Sequence, residues 1–177
     1  SGGRYWRWKI ESGGEVSAPT EMPFLAALLE DLPGLVPADP NRIYVAGFSN
    51  GAILSYMIAR ELTSRVAAIG AVAGFIGTRE LRLSHPISVL HFHGTRDRLV
   101  PYGGGLSSRK ESTYVFPPLA DALQPWLEAT GCLTLRSTDS IRDAVDPTLS
   151  VRIDVFGPGW HGSEVEVVTV EGGGHTW

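Results

Sequence analysis

One stretch in the first third of the chain constrains the fold most, because a strand pattern, a glycine-flanked serine and a helix pattern follow one another without a gap. Residues 43–46 are typical of a short strand, and Gly47-Phe48-Ser49-Asn50-Gly51 follows at once. A helical spacing of apolar residues then begins near Asn50. A serine on such a turn needs glycines on either side, since strand and helix approach closely there. The sequence therefore predicts a strand–turn–helix unit that exposes the Ser49 hydroxyl at the end of the strand.

Alternating strand and helix patterns along the rest of the chain indicate the fold class. Two near-continuous apolar runs, residues 66–75 and 87–92, suit strands buried on both faces of a parallel sheet. We therefore expect a single α/β domain over residues 1–177, with a mostly parallel sheet, helices on both faces and the strand at residues 43–46 at its centre. The patterns predict helices over about residues 20–32, 50–62 and 117–131, with Pro33 and Gly34 ending the first, and further strands over 151–156 and 165–170.

Composition excludes several classes of protein. With 43% hydrophobic residues among 177, the chain can bury a real core, so disorder is excluded as its main state. Its formal charge of −4, with scattered basic residues, disfavours nucleic acid as a partner. The uncharged residues 66–78 are too few and too rich in glycine to cross a membrane, and residues 1–9 contain no apolar signal-peptide segment. The single cysteine, Cys132, excludes an intrachain disulfide and a multi-cysteine zinc site.

Three residues with complementary chemistry each follow a predicted strand. Asp97 comes after the run at residues 87–92, and His175 follows three glycines after the strand at 165–170. Taken singly, each could be an ordinary loop residue, but the carboxyl ends of parallel strands meet at one edge of a sheet. There a serine needs a base, and the base needs an orienting carboxylate. The chain order Ser49, Asp97, His175 is also that of the α/β-hydrolase fold, so we predict a catalytic triad.

Other candidate residues carry weaker signals. His91 and His93 share one strand face, but no third ligand is indicated, so we interpret them as hydrogen-bonded structural histidines and predict no metal site. Trp160 and His161 lie in a predicted turn, and Trp177 directly follows His175. All three are candidates for lining a substrate cleft. The simpler interpretation of Trp160 and His161 is that they lie in an exposed turn. The simpler interpretation of Trp177 is that it packs against the His175 loop.

Four stretches of the chain carry a family resemblance. They are DPNRIYVAGFSNG at residues 39–51, HGTRDRLVPY at 93–102, the segment 126–132 that ends in Gly-Cys, and GHTW at 174–177. Together they resemble the α/β-hydrolase esterases grouped as polyhydroxybutyrate depolymerases, feruloyl esterases and acetylxylan esterases. The resemblance implies an α/β-hydrolase fold and a secreted protein. It also implies Ser49 as nucleophile, Asp97 as acid, His175 as base and the backbone N–H of Asn50 as a donor to the oxyanion.

Three departures from that family pattern affect what we expect of the site. The family's amino-terminal strands, and the loop that gives a second oxyanion donor, have no counterpart, and the sequence stops at Trp177 before the family's closing helix. Cys132 matches a half-cystine of the family, but residues 157–162, where its partner is expected, contain no cysteine. We therefore expect a truncated or minimal domain that hydrolyses activated esters weakly, unless a partner chain or residues 1–19 supply the second donor.

The leading interpretation is a cofactor-free serine esterase that acts through an acyl-enzyme on small or polymeric esters. Feruloyl, acetyl-xylan and polyhydroxyalkanoate esters all suit the scaffold. Two alternatives stay open: a non-catalytic or weakly active protein of the hydrolase fold, and a serine peptidase of the same fold. The peptidase normally needs a further domain to admit peptides. We expect neither a nucleic-acid nor a membrane partner, and the sequence does not indicate an oligomeric state.

Overall fold

A six-stranded sheet organises the residues that this computed structural model describes, which are 21–78, 80–109, 114–146 and 148–176. The helices are α1 (Met22–Leu35), α2 (Asn50–Glu61) and α3 (Leu119–Thr130). The strands are β1 (Tyr44–Phe48), β2 (Ala68–Val72), β3 (Ser88–Gly94), β4 (Gly105–Leu106), β5 (Val115–Phe116), β6 (Leu135–Arg142), β7 (Ser150–Phe156) and β8 (Val165–Glu171). Strands β4 and β5 form a separate two-stranded sheet.

The large sheet has the strand order β1-β2-β3-β8-β7-β6. Strands β1, β2, β3 and β8 are parallel, with Ala71 opposite His91 and His91 opposite Val167, whereas β7 and β6 continue the sheet in antiparallel fashion. The prediction of an α/β fold with a mostly parallel sheet is confirmed. The expected central position of the first strand is wrong for the described sheet. There β3 and β8 occupy the middle and β1 lies at one end, because the later strands add beside β2 rather than beside β1.

All three described helices contribute buried apolar residues to one core cluster. The cluster includes Ile69, Val89 and Val165, which the register places side by side on one face of the sheet. On the opposite face Leu90 is 37% exposed and Tyr44 is 62% exposed. The buried apolar side chains of the described helices belong to the same cluster as the face that carries Ile69 and Val89. Continuous apolar runs indicate two buried faces but do not say which element covers each.

Helix α1 and strand β6 show most clearly where the observed elements differ from the sequence prediction. Helix α1 continues through Pro33 to Leu35, since a proline there removes one backbone donor without ending the helix. Strand β6 was not predicted, because its residues are almost all exposed and lack apolar alternation. No helix in the described ranges has the length and apolar character needed to cross a membrane.

Candidate active site

The turn between β1 and α2 holds Ser49 in a strained backbone conformation. Its φ of 56° and ψ of −116° are rare for a residue with a side chain. The Ser49 N–H donates to the Val72 carbonyl at 2.7 Å, which fixes the turn to the neighbouring strand. A Cβ at Gly47 would lie 2.2 Å from the backbone of Gly51, so β1 and α2 meet where only glycine fits. At Gly51 itself, by contrast, a Cβ would meet open space.

A second close approach supports the turn from the side of β2. A Cβ at Gly74 would lie 2.3 Å from the Ser49 carbonyl oxygen. The preceding residue, Ala73, has a φ of 51° and donates its N–H to the Phe92 carbonyl at 2.9 Å. The serine turn therefore packs between its own helix and the segment that follows β2. This packing compensates the backbone strain at Ser49.

The glycine-rich segment after β8 brings His175 to the same edge of the sheet. It passes so close to the end of β3 that a Cβ at Gly94 would lie 2.3 Å from the Gly173 carbonyl oxygen. The Gly172 N–H donates to the Thr95 hydroxyl at 2.9 Å, and the Arg96 N–H donates to the Gly173 carbonyl at 2.8 Å. These bonds attach the His175 segment to the loop that carries Asp97.

Ser49, His175 and Asp97 form a continuous hydrogen-bonded line. His175 Nε2 lies 2.8 Å from Ser49 Oγ, and His175 Nδ1 lies 2.7 Å from Asp97 Oδ2. Because an ionised carboxylate only accepts, Nδ1 donates to Asp97, and in the neutral ring Nε2 then accepts from the Ser49 hydroxyl. This tautomer leaves His175 ready to take the serine proton. The structure thus brings together the three residues that the sequence predicted as a triad.

The Asp97 carboxylate is buried and fully partnered. Its Oδ1 accepts from the Leu99 and Val100 N–H groups at 2.8 and 2.9 Å, while its Oδ2 faces His175. Burial by itself would raise the pKa of Asp97, but the donors on His93, Val100 and His175 outweigh it and lower the pKa to about 2. Asp97 therefore stays ionised at neutral pH.

Phe48, which precedes Ser49, contributes a contact that the sequence prediction did not identify. Its ring centroid lies 4.9 Å from that of His175, and the Phe48 side chain remains 39% exposed. The ring covers one side of the imidazole at the edge of the site. Its position inside the serine motif was the available signal, since a residue adjacent to the nucleophile lies close to the base.

The structure does not bring Trp160 and His161 to the Ser49 edge. They lie in the short 3₁₀ turn Trp160–Gly162 between β7 and β8. Strand β8 runs parallel to β3, so this turn lies at the amino ends of both strands, whereas the triad lies at their carboxyl ends. The seven residues of β8 separate the two edges by about 20 Å. The suggested cleft contact of Trp160 and His161 is therefore not supported. Trp177 lies outside the described residues.

His91 and His93 are buried, as the structural interpretation predicts. They are 0% and 2% exposed and hydrogen-bond to one another at 3.1 Å. Among the described residues there is no group of three or more His, Cys, Asp or Glu side chains that could hold a metal ion. The sequence prediction missed that His93 also reaches the edge that carries Ser49 and Asp97, with its Nε2 3.4 Å from Asp97 Oδ2. The four-residue spacing across the end of β3 was the available signal.

Comparison with known proteins identifies a family and its relatives. Residues 20–116 match the family model described as phospholipase/carboxylesterase. The chain is 31% identical over 169 residues to the protein named "Putative esterase NocK" of Nocardia uniformis subsp. tsuyamanensis, covering 89% of this chain and 48% of that protein. It is 26% identical to feruloyl esterase B of Piromyces equi over 162 residues, covering 88% of this chain and 28% of that protein. The chain thus spans about half, or less, of the length of these relatives.

A solved structure agrees on the fold. The crystal structure of esterase PE8 superimposes with a TM-score of 0.54 at 20% sequence identity, covering 89% of this chain and 53% of that one. At this identity the likeness concerns the fold alone. Together with the mostly parallel sheet, it assigns the α/β-hydrolase fold to the described part of the chain.

Proposed function

Because this chain belongs to the phospholipase/carboxylesterase family, we propose that it is a serine esterase that hydrolyses carboxylic esters. One observation carries the proposal: the unbroken line from Ser49 Oγ through the His175 ring to Asp97, with contacts of 2.8 and 2.7 Å. A nucleophile, a base and an orienting carboxylate in this arrangement are what acyl transfer requires. The low pKa of Asp97, about 2, supports its role as the permanent anion of the set.

In the first half of the proposed cycle Ser49 becomes acylated. His175 Nε2 takes the hydroxyl proton as Ser49 Oγ bonds to the ester carbonyl carbon. The Asp97 carboxylate holds Nδ1–H and stabilises the imidazolium that forms. The imidazolium then gives its Nε2 proton to the alkoxy oxygen of the leaving group as the bond between the carbonyl carbon and that oxygen breaks. An alcohol leaves, and the acyl group stays on Ser49.

In the second half of the cycle a water molecule takes the place of Ser49 as the nucleophile and hydrolyses the acyl-enzyme. His175 takes a proton from the water as its oxygen attacks the acyl carbon, and then returns that proton to Ser49 Oγ. The carboxylic acid leaves, and the enzyme is restored. One ester and one water therefore give one alcohol and one acid.

The negative charge that develops on the carbonyl oxygen needs donors. We assign the backbone N–H of Asn50 to this role because Asn50 opens helix α2, where the helix dipole favours negative charge. Residues 1–19, from which a second donor could come, lie outside the described residues. Losing one oxyanion donor typically lowers turnover by about 10²–10³, so a second donor is important for the hydrolysis of natural esters.

The substrate class within this proposal is an ester of a feruloyl, acetyl-xylan or polyhydroxyalkanoate type. Similarity to feruloyl esterase B makes an aromatic acyl group the first to test. The half-exposed Phe48 ring beside His175 offers such a group an apolar contact at the reacting centre. An extracellular location is part of the same proposal and rests on the family resemblance.

Turnover measurements on three substrates test the proposal. We expect weak hydrolysis of p-nitrophenyl acetate, slower hydrolysis of methyl ferulate unless a second oxyanion donor is present, and no cleavage of a peptide p-nitroanilide. The Ser49→Ala variant controls for non-enzymatic and contaminating activity. Ester turnover that persists in Ser49→Ala, or peptide cleavage by the wild type that Ser49→Ala abolishes, would overturn the assignment. Absence of any turnover would favour the non-catalytic alternative.

A further inference from the structure

A buried line of polar side chains runs from the middle of the core to the Asp97 carboxylate. The Tyr56 hydroxyl lies 2.9 Å from His91 Nδ1, and His91 Nε2 lies 3.1 Å from His93 Nδ1. At the far end His93 Nε2 lies 2.8 Å from the Val100 carbonyl oxygen and 3.4 Å from Asp97 Oδ2. Tyr56 and His91 are 0% exposed. The proposed mechanism uses none of the three ring groups.

The direction of each hydrogen bond along this line is set by the two acceptors at its outer end. The Val100 carbonyl and the ionised Asp97 carboxylate only accept, so His93 Nε2 carries a proton and donates. Burial, with the nearby His93 ring, lowers the pKa of His91 well below its usual value, so His91 is neutral. With the His93 ring carrying a single proton, at Nε2, its Nδ1 accepts from His91 Nε2–H, and His91 Nδ1 in turn accepts from the hydroxyl of Tyr56. Each histidine is held in one tautomer.

The donating end of the line holds the turn that presents Asp97. His93 Nε2–H bonds to the Val100 carbonyl, and the Val100 N–H bonds in turn to Asp97 Oδ1. The same Nε2–H also faces Asp97 Oδ2, the oxygen that accepts from His175. Both carboxylate oxygens are thus oriented by groups that His93 contacts. A buried polar atom without its partner is costly, which makes this orientation hard to change.

We propose that His93 is a positioning residue for ester hydrolysis, acting through Asp97, with His91 and Tyr56 fixing the His93 tautomer. This inference rests on the proposed function. It goes beyond the triad because it assigns a catalytic consequence to a histidine that touches neither Ser49 nor substrate. The proposed effect depends on the hydrogen bonds that His93 Nε2–H donates, and not on the packing of the ring in the core.

Two amide substitutions separate the two ends of the His93 ring. The side-chain amide of His93→Gln reaches the place of Nε2 and keeps a donor toward Val100 and Asp97. The shorter amide of His93→Asn reaches only the place of Nδ1 and loses that donor. As a control for the loss of one buried hydrogen bond, Thr130→Val removes a hydroxyl that donates to the Trp126 carbonyl at 2.7 Å, near the opposite edge of the sheet. Thermal unfolding of each variant confirms that it is folded.

The kinetic readout is the split between kcat and KM on p-nitrophenyl acetate. We expect His93→Asn to lower kcat by about 10- to 100-fold with KM nearly unchanged, since misplaced catalytic groups cost rate rather than binding. His93→Gln and Thr130→Val should stay within about threefold of the wild type. Equal kcat in the two amide variants, or an equal loss in Thr130→Val, would overturn the proposal. If His93→Asn does not fold, His93→Gln still decides, because a large loss of kcat there contradicts the donor role.

A second readout does not depend on turnover. The short His175–Asp97 bond should give a downfield proton resonance for His175 Nδ1–H in the wild type, in His93→Gln and in Thr130→Val. In His93→Asn the resonance should move upfield or broaden away. If it stays in place in His93→Asn, Asp97 is oriented without His93 and the inference fails. A wild type without turnover but with this pattern would refute the esterase and leave the positioning role intact.

Discussion

The two halves of the sheet differ in what surrounds their strands. Strand β3, in the parallel half, buries His91 and His93 and leads directly into the Asp97 turn. Strand β6, at the antiparallel end, is exposed at nearly every position and pairs only with β7 in the described sheet. Because the polar side chains of β3 are buried, each must be hydrogen-bonded in a fixed geometry. The candidate site lies at the end of this strand, where several such side chains meet. The antiparallel half extends the sheet without adding to the site.

Removing one carboxylate charge in each half should give the largest contrast. Asp97→Asn leaves His175 Nδ1 facing an amide that cannot support the imidazolium, so we expect kcat to fall by about 10⁴. Asp139→Asn removes the same charge from the exposed strand β6 and should leave kcat unchanged. Ester turnover at neutral pH measures both. A loss of less than tenfold in Asp97→Asn would show that Asp97 is not the orienting group.

Adding one methyl group at the serine turn tests how tightly the parallel half is packed. The Cβ of Gly47→Ala would lie 2.2 Å from the Gly51 backbone, so we expect a destabilisation of about 3 kcal/mol or more. Gly51→Ala places its Cβ in open space within helix α2 and should be neutral or stabilising by up to about 1 kcal/mol. Urea unfolding compares the two. Similar stabilities would mean that the close approach of β1 and α2 is relaxed in solution.

The buried histidine of β3 should make stability depend on pH. Because the pKa of folded His91 lies well below 6.5, below that pH the unfolded chain takes up a proton that the folded chain does not. Stability should therefore fall as the pH falls below about 6.5, by up to about 1.4 kcal/mol per pH unit. Urea unfolding at pH 7 and pH 5 measures this, and His91→Gln should reduce the difference. Equal pH dependence in both proteins would mean that folding does not lower the pKa of His91.

The smallest effect is expected in the antiparallel half. The Thr138 hydroxyl on β6 donates to Asp154 Oδ1 on β7 at 2.8 Å, but this bond is exposed. Thr138→Val should therefore change the free energy of unfolding by no more than about 0.5 kcal/mol. Chemical denaturation provides the measurement. A loss above about 1.5 kcal/mol would show that the β6–β7 pair is as strongly coupled to the core as β3.

The same difference between the halves decided what the sequence could predict. The apolar run of β3 and the glycines around Ser49 and His175 indicated strands and close approaches, and the structure brings the three predicted residues within hydrogen-bonding distance. Strand β6 carries no apolar period because neither of its faces is buried, so nothing marked it as a strand. The position of β1 at the end of the described sheet and the amino-edge position of Trp160 both depend on strand order. Local patterns do not contain strand order.

The contact between His93 and Asp97 could not be predicted from the sequence for a related reason. Its spacing of four from Asp97 was visible, but the ring direction depends on the packing of Tyr56 and His91 inside the core. The sequence correctly indicated a buried, satisfied histidine. It could not indicate which acceptor the outer ring nitrogen reaches.

The central claim is that Ser49 is the nucleophile of this edge, and covalent labelling tests it most directly. A fluorophosphonate probe reacts with a serine only when a base activates its hydroxyl. Peptide mapping by mass spectrometry after labelling should place the adduct on Ser49, and Ser49→Ala should remain unlabelled. An adduct on another serine, such as Ser55 or Ser64, or a wild-type protein that the probe does not label, would contradict the account.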